Sequence, residues 1–432
     1  MVPMDERPEI SFSEYATIRE GLYHPELSRC FDDRTFEEGN PRADILSVLH
    51  GPEHKERRRL ENPLFRREAL VTYERELFPR VLQHILSQQG SGATDLFRLA
   101  GSLAVVLAAK RAGVDHSGSL EELGRLWDTV LVIAQASAIL DIVGDRDEVQ
   151  AEVSVALSNF GDAYVLPSLR RRAALLDRRD RGEDVETPDD LLTRALEQRR
   201  SGEGGLSDDV LVREAALYLH GGSHTSAQTT CNAFYYLLGM GHGVREDAVR
   251  RAANSPLDAQ RAVHETLRMR PTTPRVKRLA VADLELGGRS IAAGTTVVFD
   301  IKTANRDPAR YGERAEQFDP YRSLAPGSAL WGLSFGAGPH ICIGRSVAGG
   351  FPLQQEELEG ATSRHHLYGL VALMVQSIAA CGVELIQGDP PALDTRTDRG
   401  TRWARFPVRL EQLPATVLVG EADVAGRDAE ER

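Results

Sequence analysis

The stretch SDDVLVREAALYLHGGSHTSAQTTCNAFYYLL, from Ser207 to Leu238, repeats its apolar residues with the spacing of one continuous helix. Ser207 reads as an N-cap, and Asp208 and Asp209 place carboxylates in the first turn, where they complement the helix dipole. At about 1.5 Å per residue the helix would run roughly 45–50 Å, long enough to cross an entire domain. Its centre carries Gly221 and Gly222, followed by Ser223, His224, Thr225 and Ser226. Each glycine weakens a helix interior by about 1 kcal/mol relative to alanine. The stretch therefore needs a compensating role.

The rest of the chain is also mainly α. EDVETPDDLLTRALEQRR is a second clear helical run, and strand signals gather late, in RLAVADLELGGRSIAAGTTVVFD, which turns at Gly287-Gly288. Between Pro308 and Phe335 the chain is rich in Pro, Gly, Tyr and charge, the pattern of a long ordered loop, and such loops are usually functional or disordered. The 432 residues allow two domains or one large one. A net charge of -12 argues against a nucleic-acid binder. The polar, acidic start MVPMDERPEISFSEY is neither a signal peptide nor a membrane anchor. The most apolar segment, LYGLVALMVQSIAACGVELI, is interrupted by Gln376, Ser377 and Glu384, which makes it a buried helix and not a membrane span. Cys30, Cys231, Cys342 and Cys381 are scattered, with no disulfide framework and no paired zinc spacing, so a reducing cytoplasm is the default setting. The tail after Leu413 is small and acidic and is expected to fray.

The most informative segment is SFGAGPHICIGRSVAGG, in which Gly336, Gly338 and Gly344 bracket the single Cys342. Glycines let a backbone turn its N–H groups inward, and N–H groups aimed at sulfur stabilise a thiolate. One cysteine without a partner makes no zinc site. It can serve as the single axial ligand of a haem iron, and a buried, inert cysteine in a glycine loop is the other reading.

The full pattern, Phe335-Gly336-x-Gly338-x-His340-x-Cys342-x-Gly344-x-x-x-Ala348, closely resembles the haem-ligand signature of the cytochrome P450 family. Other resemblances follow in chain order. Glu265-x-x-Arg268 in HETLRMRP resembles the family's ExxR motif, with both charges on one helix face and Arg322 of FDPYR as the third member. GPEHKERRRLENPLF resembles the helix that carries His54 and Arg58. Together with Arg278 and His340 these are similar to the family's clamp on the haem propionates, where charge-assisted bonds to carboxylates are needed. The resemblance runs from about Ile10 to Leu410. It implies a single domain over residues 1–432, with a core at about 10–410 and a C-terminal tail at 411–432. The fold implied is the family's mainly α one, with a long central I helix, a small β region and a shortened N-terminal part.

The resemblance further implies haem b as cofactor, bound by Phe335, Cys342 and Gly344 with the clamp, and Cys342 as the metal ligand. The implied activity is that of a monooxygenase using dioxygen and two electrons to hydroxylate or epoxidise a small organic substrate, by analogy in specialised-metabolite biosynthesis. Desaturation, oxidative coupling or cyclisation, a peroxide-driven enzyme, and a catalytically impaired haem-binding scaffold are the alternatives. Implied partners are a ferredoxin and a ferredoxin reductase acting on a cytoplasmic monomer, with no membrane and no nucleic acid.

The HGGSHT stretch then falls on the I helix, where the family commonly reads Ala-Gly-x-acid-Thr. Gly221 and Gly222 make room for oxygen, and Thr225 matches the alcohol that hydrogen-bonds it and helps deliver protons. His224 stands where the acid belongs. A histidine titrating near neutrality can shuttle protons; a structural hydrogen-bonding role, with water relaying protons past it, is the other reading.

Several features depart from the family pattern. The first helix and leading strands look shortened or missing before SFSEYATIREGLYHPELS. FPLQQEELEGATSRHH looks like an insertion near 351–366. Arg57, Arg59, Arg66 and Arg67 form a basic run that could face an acidic ferredoxin, or simply be a solvated helix face. The substrate pocket is expected to be walled by the loop before His54, helices between Leu131 and Leu166, Leu217–Gly222, Thr272–Val276 and Arg402–Phe406. Arg275 is a candidate for an acidic substrate group if it faces inward.

Overall fold

The computed structural model describes residues 7–29, 40–202, 204–241, 247–324, 328–352 and 366–411. Ser207 caps the central helix, its hydroxyl accepting from the Val210 N–H at 3.3 Å. The helix runs over Asp208–Leu219, widens into a single π turn at His220–His224 and resumes over Thr225–Leu237. A π turn inside an α-helix frequently marks a functional site.

Eleven of the thirteen residues in Thr225–Leu237 are buried, so this half is enclosed on all sides. The hydroxyls here bond back along the helix: Ser223 to the Leu219 carbonyl (2.5 Å), Thr225 to Gly221 (2.7 Å), Ser226 to Gly222 (2.6 Å), Thr229 to Thr225 (2.8 Å) and Thr230 to Ser226 (2.9 Å). Such i−4 bonds satisfy a buried hydroxyl and help bend a helix.

Three helices enclose the central one. Leu96–Ala112 is capped by Asp95, which accepts from the Phe97 N–H. Pro256–Met269 starts from a Ser255 cap followed by proline in the first turn, where the missing N–H is harmless. Leu370–Ala379 is buried at all ten positions and lies against it, the fate expected for the apolar segment LYGLVALM. Among the described residues no helix is long and apolar enough to cross a membrane. Gly101 lets the Trp127 ring lie flat against the Leu96–Ala112 helix, since a Cβ there would collide with the indole.

In chain order the strands are β1 (Glu9–Phe12), β2 (Leu27–Ser28), β3 (Gly92–Asp95), β4 (Arg275–Ala280), β5 (Leu284–Leu286), β6 (Arg289–Ile291), β7 (Thr296–Asp300), β8 (Val383–Leu385), β9 (Ala392–Leu393), β10 (Trp403–Arg405) and β11 (Pro407–Leu410). They form sheets of order β1-β7-β4-β2 and β3-β11-β8 and the pairs β5-β6 and β9-β10. The first sheet mixes a parallel β1–β7 ladder with antiparallel neighbours. Its leading strand is thus present, although short. The β5–β6 hairpin turns at Gly287-Gly288, both at positive φ, as a two-residue hairpin turn requires. A second small core of Phe12, Ile18, Leu22, Val297, Phe299, Leu333 and Ala337 fastens this sheet to the start of the cysteine loop.

Two expectations lie outside the described residues: most of the insertion near 351–366, at 353–365, and the tail from 412. One is corrected. Arg57 does not face a partner; it is buried in an ion pair with Glu214 of the central helix, whose carboxylate also accepts from the Leu46 N–H at 3.0 Å. On the Gly51–Glu61 helix, His54 and Arg57 fall on the inward side, which spacing alone could not separate from Arg59.

Candidate active site

A cavity of about 510 Å³ lies between the widened centre of the central helix and the glycine loop Phe335–Gly344. The loop is closed by backbone bonds, with the Cys342 N–H on the Phe335 carbonyl (2.8 Å), Gly336 on Leu333 (2.8 Å) and Ile341 on Gly338 (3.1 Å). Gly338 sits at φ +68°, and a Cβ there would lie 2.5 Å from the Leu22 carbonyl oxygen, so the loop docks on the Tyr15–Tyr23 helix only as glycine. The Phe335 ring stands edge-on to Trp331 at 5.2 Å.

Cys342 is exposed and lines the cavity. Burial by the surrounding protein raises its pKa. The Gly344 N–H and then the Arg58, Arg345 and Arg29 charges act the other way and favour the thiolate.

Beside the cysteine, Arg29, His54, Arg58, Arg278 and His340 all line the same cavity. Burial, and then Arg29, hold the Arg278 guanidinium well below its usual range, and burial lowers Arg29 and Arg58 too. His54 is pushed down to about 4, by burial first and Arg58 next, and His340 to about 2, by burial and then Arg29. Arg29 Nε is buried without a partner. Among the described residues no carboxylate lies within ion-pair distance of Arg29, Arg58 or Arg278. These cations, Arg278 buried and Arg29 and Arg58 half-buried, lack their counter-charge, and a ligand bearing carboxylates would supply it. Sequence reasoning missed Arg29, which follows the two-residue strand β2 and belongs to no motif. It also missed His50, whose Nδ1 lies 3.1 Å from His340 Nε2.

Across the cavity the two glycines differ. A Cβ on Gly221 would meet nothing within 4 Å, whereas one on Gly222 would press on the Ala108 Cβ at 3.2 Å. Gly221 keeps space free; Gly222 serves the packing of the Leu96–Ala112 helix. The Thr225 hydroxyl spends its proton on the Gly221 carbonyl and keeps lone pairs free to accept.

His224 is buried beside Trp127 (6.3 Å, 27° between ring planes) and Phe97 (5.9 Å, 78°). Its Nε2 lies 3.2 Å from Arg402 Nη2. A guanidinium can only donate, so Nε2 accepts and the ring proton belongs on Nδ1. Burial first, then Arg402, hold His224 well below the usual histidine range. The expectation that it titrates near neutrality is therefore corrected: the ring is neutral because it is enclosed and faces a cation.

Arg275 does line the cavity, but its guanidinium is paired with the Asp398 carboxylate at 3.0 Å. The cavity wall expected at Arg402–Phe406 begins earlier, at Arg399, Thr401 and Arg402, and the wall between Leu131 and Leu166 reduces to Ile133, Ala136, Ser137 and Asp141.

Glu265, Arg268 and Arg322 do not line the cavity; they brace it from behind. Arg268 holds Glu265 with two bonds (2.6 and 2.7 Å), both side chains fully buried. It also donates to the Asn305 and Ala315 carbonyls at 2.8 Å each. Arg322 approaches Glu265 only at 3.5 Å and donates mainly to the Tyr311, Arg314 and Gln317 carbonyls. The irregular chain after Pro308 is thus ordered by two arginines that collect its carbonyls.

Residues 256–349, which hold both the Glu265–Arg268 pair and the cysteine loop, match the family model described as Cytochrome P450. Relatives agree along more of the chain. The cyclooctat-9-en-7-ol 5-monooxygenase of Streptomyces melanosporofaciens is 26% identical over 364 residues, 75% of each chain. The 6-deoxyerythronolide B hydroxylase of Saccharopolyspora erythraea is 28% identical over 332 residues, 76% of this chain and 70% of the other. The crystal structure of CalO2 superimposes with a TM-score of 0.69, covering 93% of this chain and 90% of that one, at 24% identity. The chain belongs to the cytochrome P450 family. As a bacterial-type cytochrome P450 it is a haem b protein and an oxygen-incorporating oxidoreductase. The cavity suits that group, because its two carboxylates are the counter-charge the cluster of Arg29, Arg58 and Arg278 lacks, and Cys342, the one thiol lining the cavity among the described residues, is a ligand suited to its iron.

Proposed function

We propose that this cytochrome P450 hydroxylates or epoxidises a small organic substrate, with Cys342 as the axial ligand of haem b. The observation that carries the reading is the Cys342 thiol lining the cavity beside Arg29, Arg58 and Arg278, which among the described residues have no carboxylate within ion-pair distance. Bound there, haem b supplies dioxygen activation with two electrons, aided by electron donation from the thiolate. The Gly344 N–H and the Arg58 and Arg345 charges favour the thiolate of Cys342 against the burial that raises its pKa. Arg29, His54, Arg58, Arg278 and His340 orient the cofactor's carboxylates. Gly221 keeps room in the cavity, and Thr225 Oγ1, its own proton held on the Gly221 carbonyl, accepts from a water and so orients the water that would deliver the proton. His224 stays neutral and acts as a positioning residue for Arg402. The relatives named as a monooxygenase and a hydroxylase support a place in specialised-metabolite biosynthesis.

The test is turnover of a metabolite panel with a surrogate ferredoxin and ferredoxin reductase, following reductant, dioxygen and oxygen-bearing product together. Thr225→Ala should keep haem and reductant consumption but lower product per reductant on the order of 10²-fold, and Thr225→Ser should restore most of it. Equal coupling in Thr225→Ala removes the hydroxyl from the proton path. Product that has lost hydrogen without gaining oxygen would mark desaturation or coupling instead.

The electron donor is proposed to be a ferredoxin that meets the exposed Arg59 and Arg66. Arg59→Glu with Arg66→Glu should slow reduction by ferredoxin about tenfold at low salt, with the difference shrinking as ionic strength rises. An unchanged stopped-flow rate would place docking elsewhere.

A further inference from the structure

The end of the cavity beside His224 is more positive than haem chemistry requires. Arg402 is 5% exposed and lines the cavity, and its Nη2 meets the neutral His224. Its Nε has no partner, and among the described residues no carboxylate lies within ion-pair distance of it. The nearby acids are already engaged: Asp141 with Arg399 at 2.6 Å, Asp394 with Arg396 at 3.0 Å and Asp398 with Arg275 at 3.0 Å. Thr401, 3% exposed, lines the same wall with an unpartnered Oγ1, and His220 lines it with an unpartnered Nδ1. Three polar atoms are thus enclosed, unsatisfied and gathered on the cavity side of the central helix.

A buried guanidinium is retained where something of opposite charge pairs with it. A buried donor left alone is unfavourable in the same way. Among the described residues no side chain fills the role here. The cofactor's carboxylates are met at the other cluster, with Arg29, Arg58 and Arg278. What remains is the substrate.

We infer that the substrate is a small organic acid whose carboxylate binds Arg402, with Thr401 Oγ1 donating a further hydrogen bond. His224 holds the guanidinium in place through Nη2, so the histidine at the position of the family's acid selects substrate by positioning Arg402. This transfers to Arg402 the role that sequence alone suggested for Arg275, whose charge is taken by Asp398. The carboxylate end is anchored, and the carbon skeleton extends toward Gly221 and the Cys342 side of the cavity.

The inference rests on the haem-thiolate reading, and one experiment separates the two. The haem-loaded protein is titrated with decanoate and 1-naphthoate, each against its methyl ester, following the haem spin-state change. The acid should bind about tenfold or more tightly than its ester. Arg402→Gln should remove that preference while leaving ester affinity unchanged, and Arg402→Lys should restore part of it. Thr401→Val, nearly the same shape, should weaken the acids alone and keeps the test sound if Arg402→Gln folds poorly. A purely structural role for Arg402 would move acid and ester together. Equal or weaker binding of the acid in both pairs, including no binding by either partner, overturns the inference. A wild-type protein without a thiolate signature in its reduced carbon monoxide spectrum overturns the haem-thiolate reading instead.

Discussion

Cys342→Ala is expected to lose the thiolate signature of the reduced carbon monoxide complex and to lower turnover on the order of 10³-fold or more, the scale seen when an indispensable catalytic group is removed. The reason is local. Among the described residues Cys231 and Cys381 are buried elsewhere, and Cys342 alone opens into the cavity. The loop that presents it is held by backbone bonds to Phe335 and Gly338 and by the docking of Gly338 on Leu22, none of which needs the sulfur. The variant should therefore fold, and its far-ultraviolet circular dichroism should match the parent. Cys342→Ser separates ligand chemistry from space, because it keeps the shape and replaces the soft donor. A thiolate signature surviving in either variant would refute Cys342 as ligand.

Glu265→Ala should be the most destabilising single change outside the cavity, by about 3–5 kcal/mol, because it leaves Arg268 as an uncompensated charge in the core. Arg268 is wholly buried, and its other donors hold the Asn305, Ala315 and Gln317 carbonyls, so a shift of the guanidinium releases the chain that leads into the cysteine loop. Loss of stability and loss of haem should appear together in a thermal scan read by both circular dichroism and haem absorbance. Arg268→Lys should not rescue the fold, since an ammonium keeps the charge but cannot make the two-pronged bond to Glu265 and reach three carbonyls at once. A melting midpoint unchanged in Glu265→Ala would show that the pair is dispensable.

Much of the scaffold could be read from order along the chain. Helical periodicity fixed the central helix and its Ser207 cap, the Gly287-Gly288 pair marked the hairpin, and the interrupted apolar segment named the buried Leu370–Ala379 helix. Each is a local signal: a repeat, a cap or a turn acts within a few residues. The cysteine loop was legible for the same reason, since its glycines and its sulfur lie within one short segment.

What the sequence could not supply was direction and partnership. Arg57 and Arg59 are two residues apart on one helix, yet Arg57 is buried on Glu214 and Arg59 is exposed, and only the packing of the Gly51–Glu61 helix on the central helix distinguishes them. Arg29 joins the cation cluster from a two-residue strand because β2 pairs with β4, the strand that carries Arg278. His224 looked like a group poised to titrate, but enclosure by Trp127 and Phe97 and a cation at Nε2 keep it neutral. Sequence alone determined the helices, the thiol and the motif-borne charges, because those depend on neighbours in the chain. Tertiary structure decided which charges lack a counter-ion, because burial and pairing depend on segments hundreds of residues apart: Arg275 and Arg402 both line the cavity, but Arg275 is paired with Asp398 and, among the described residues, Arg402 has no carboxylate partner.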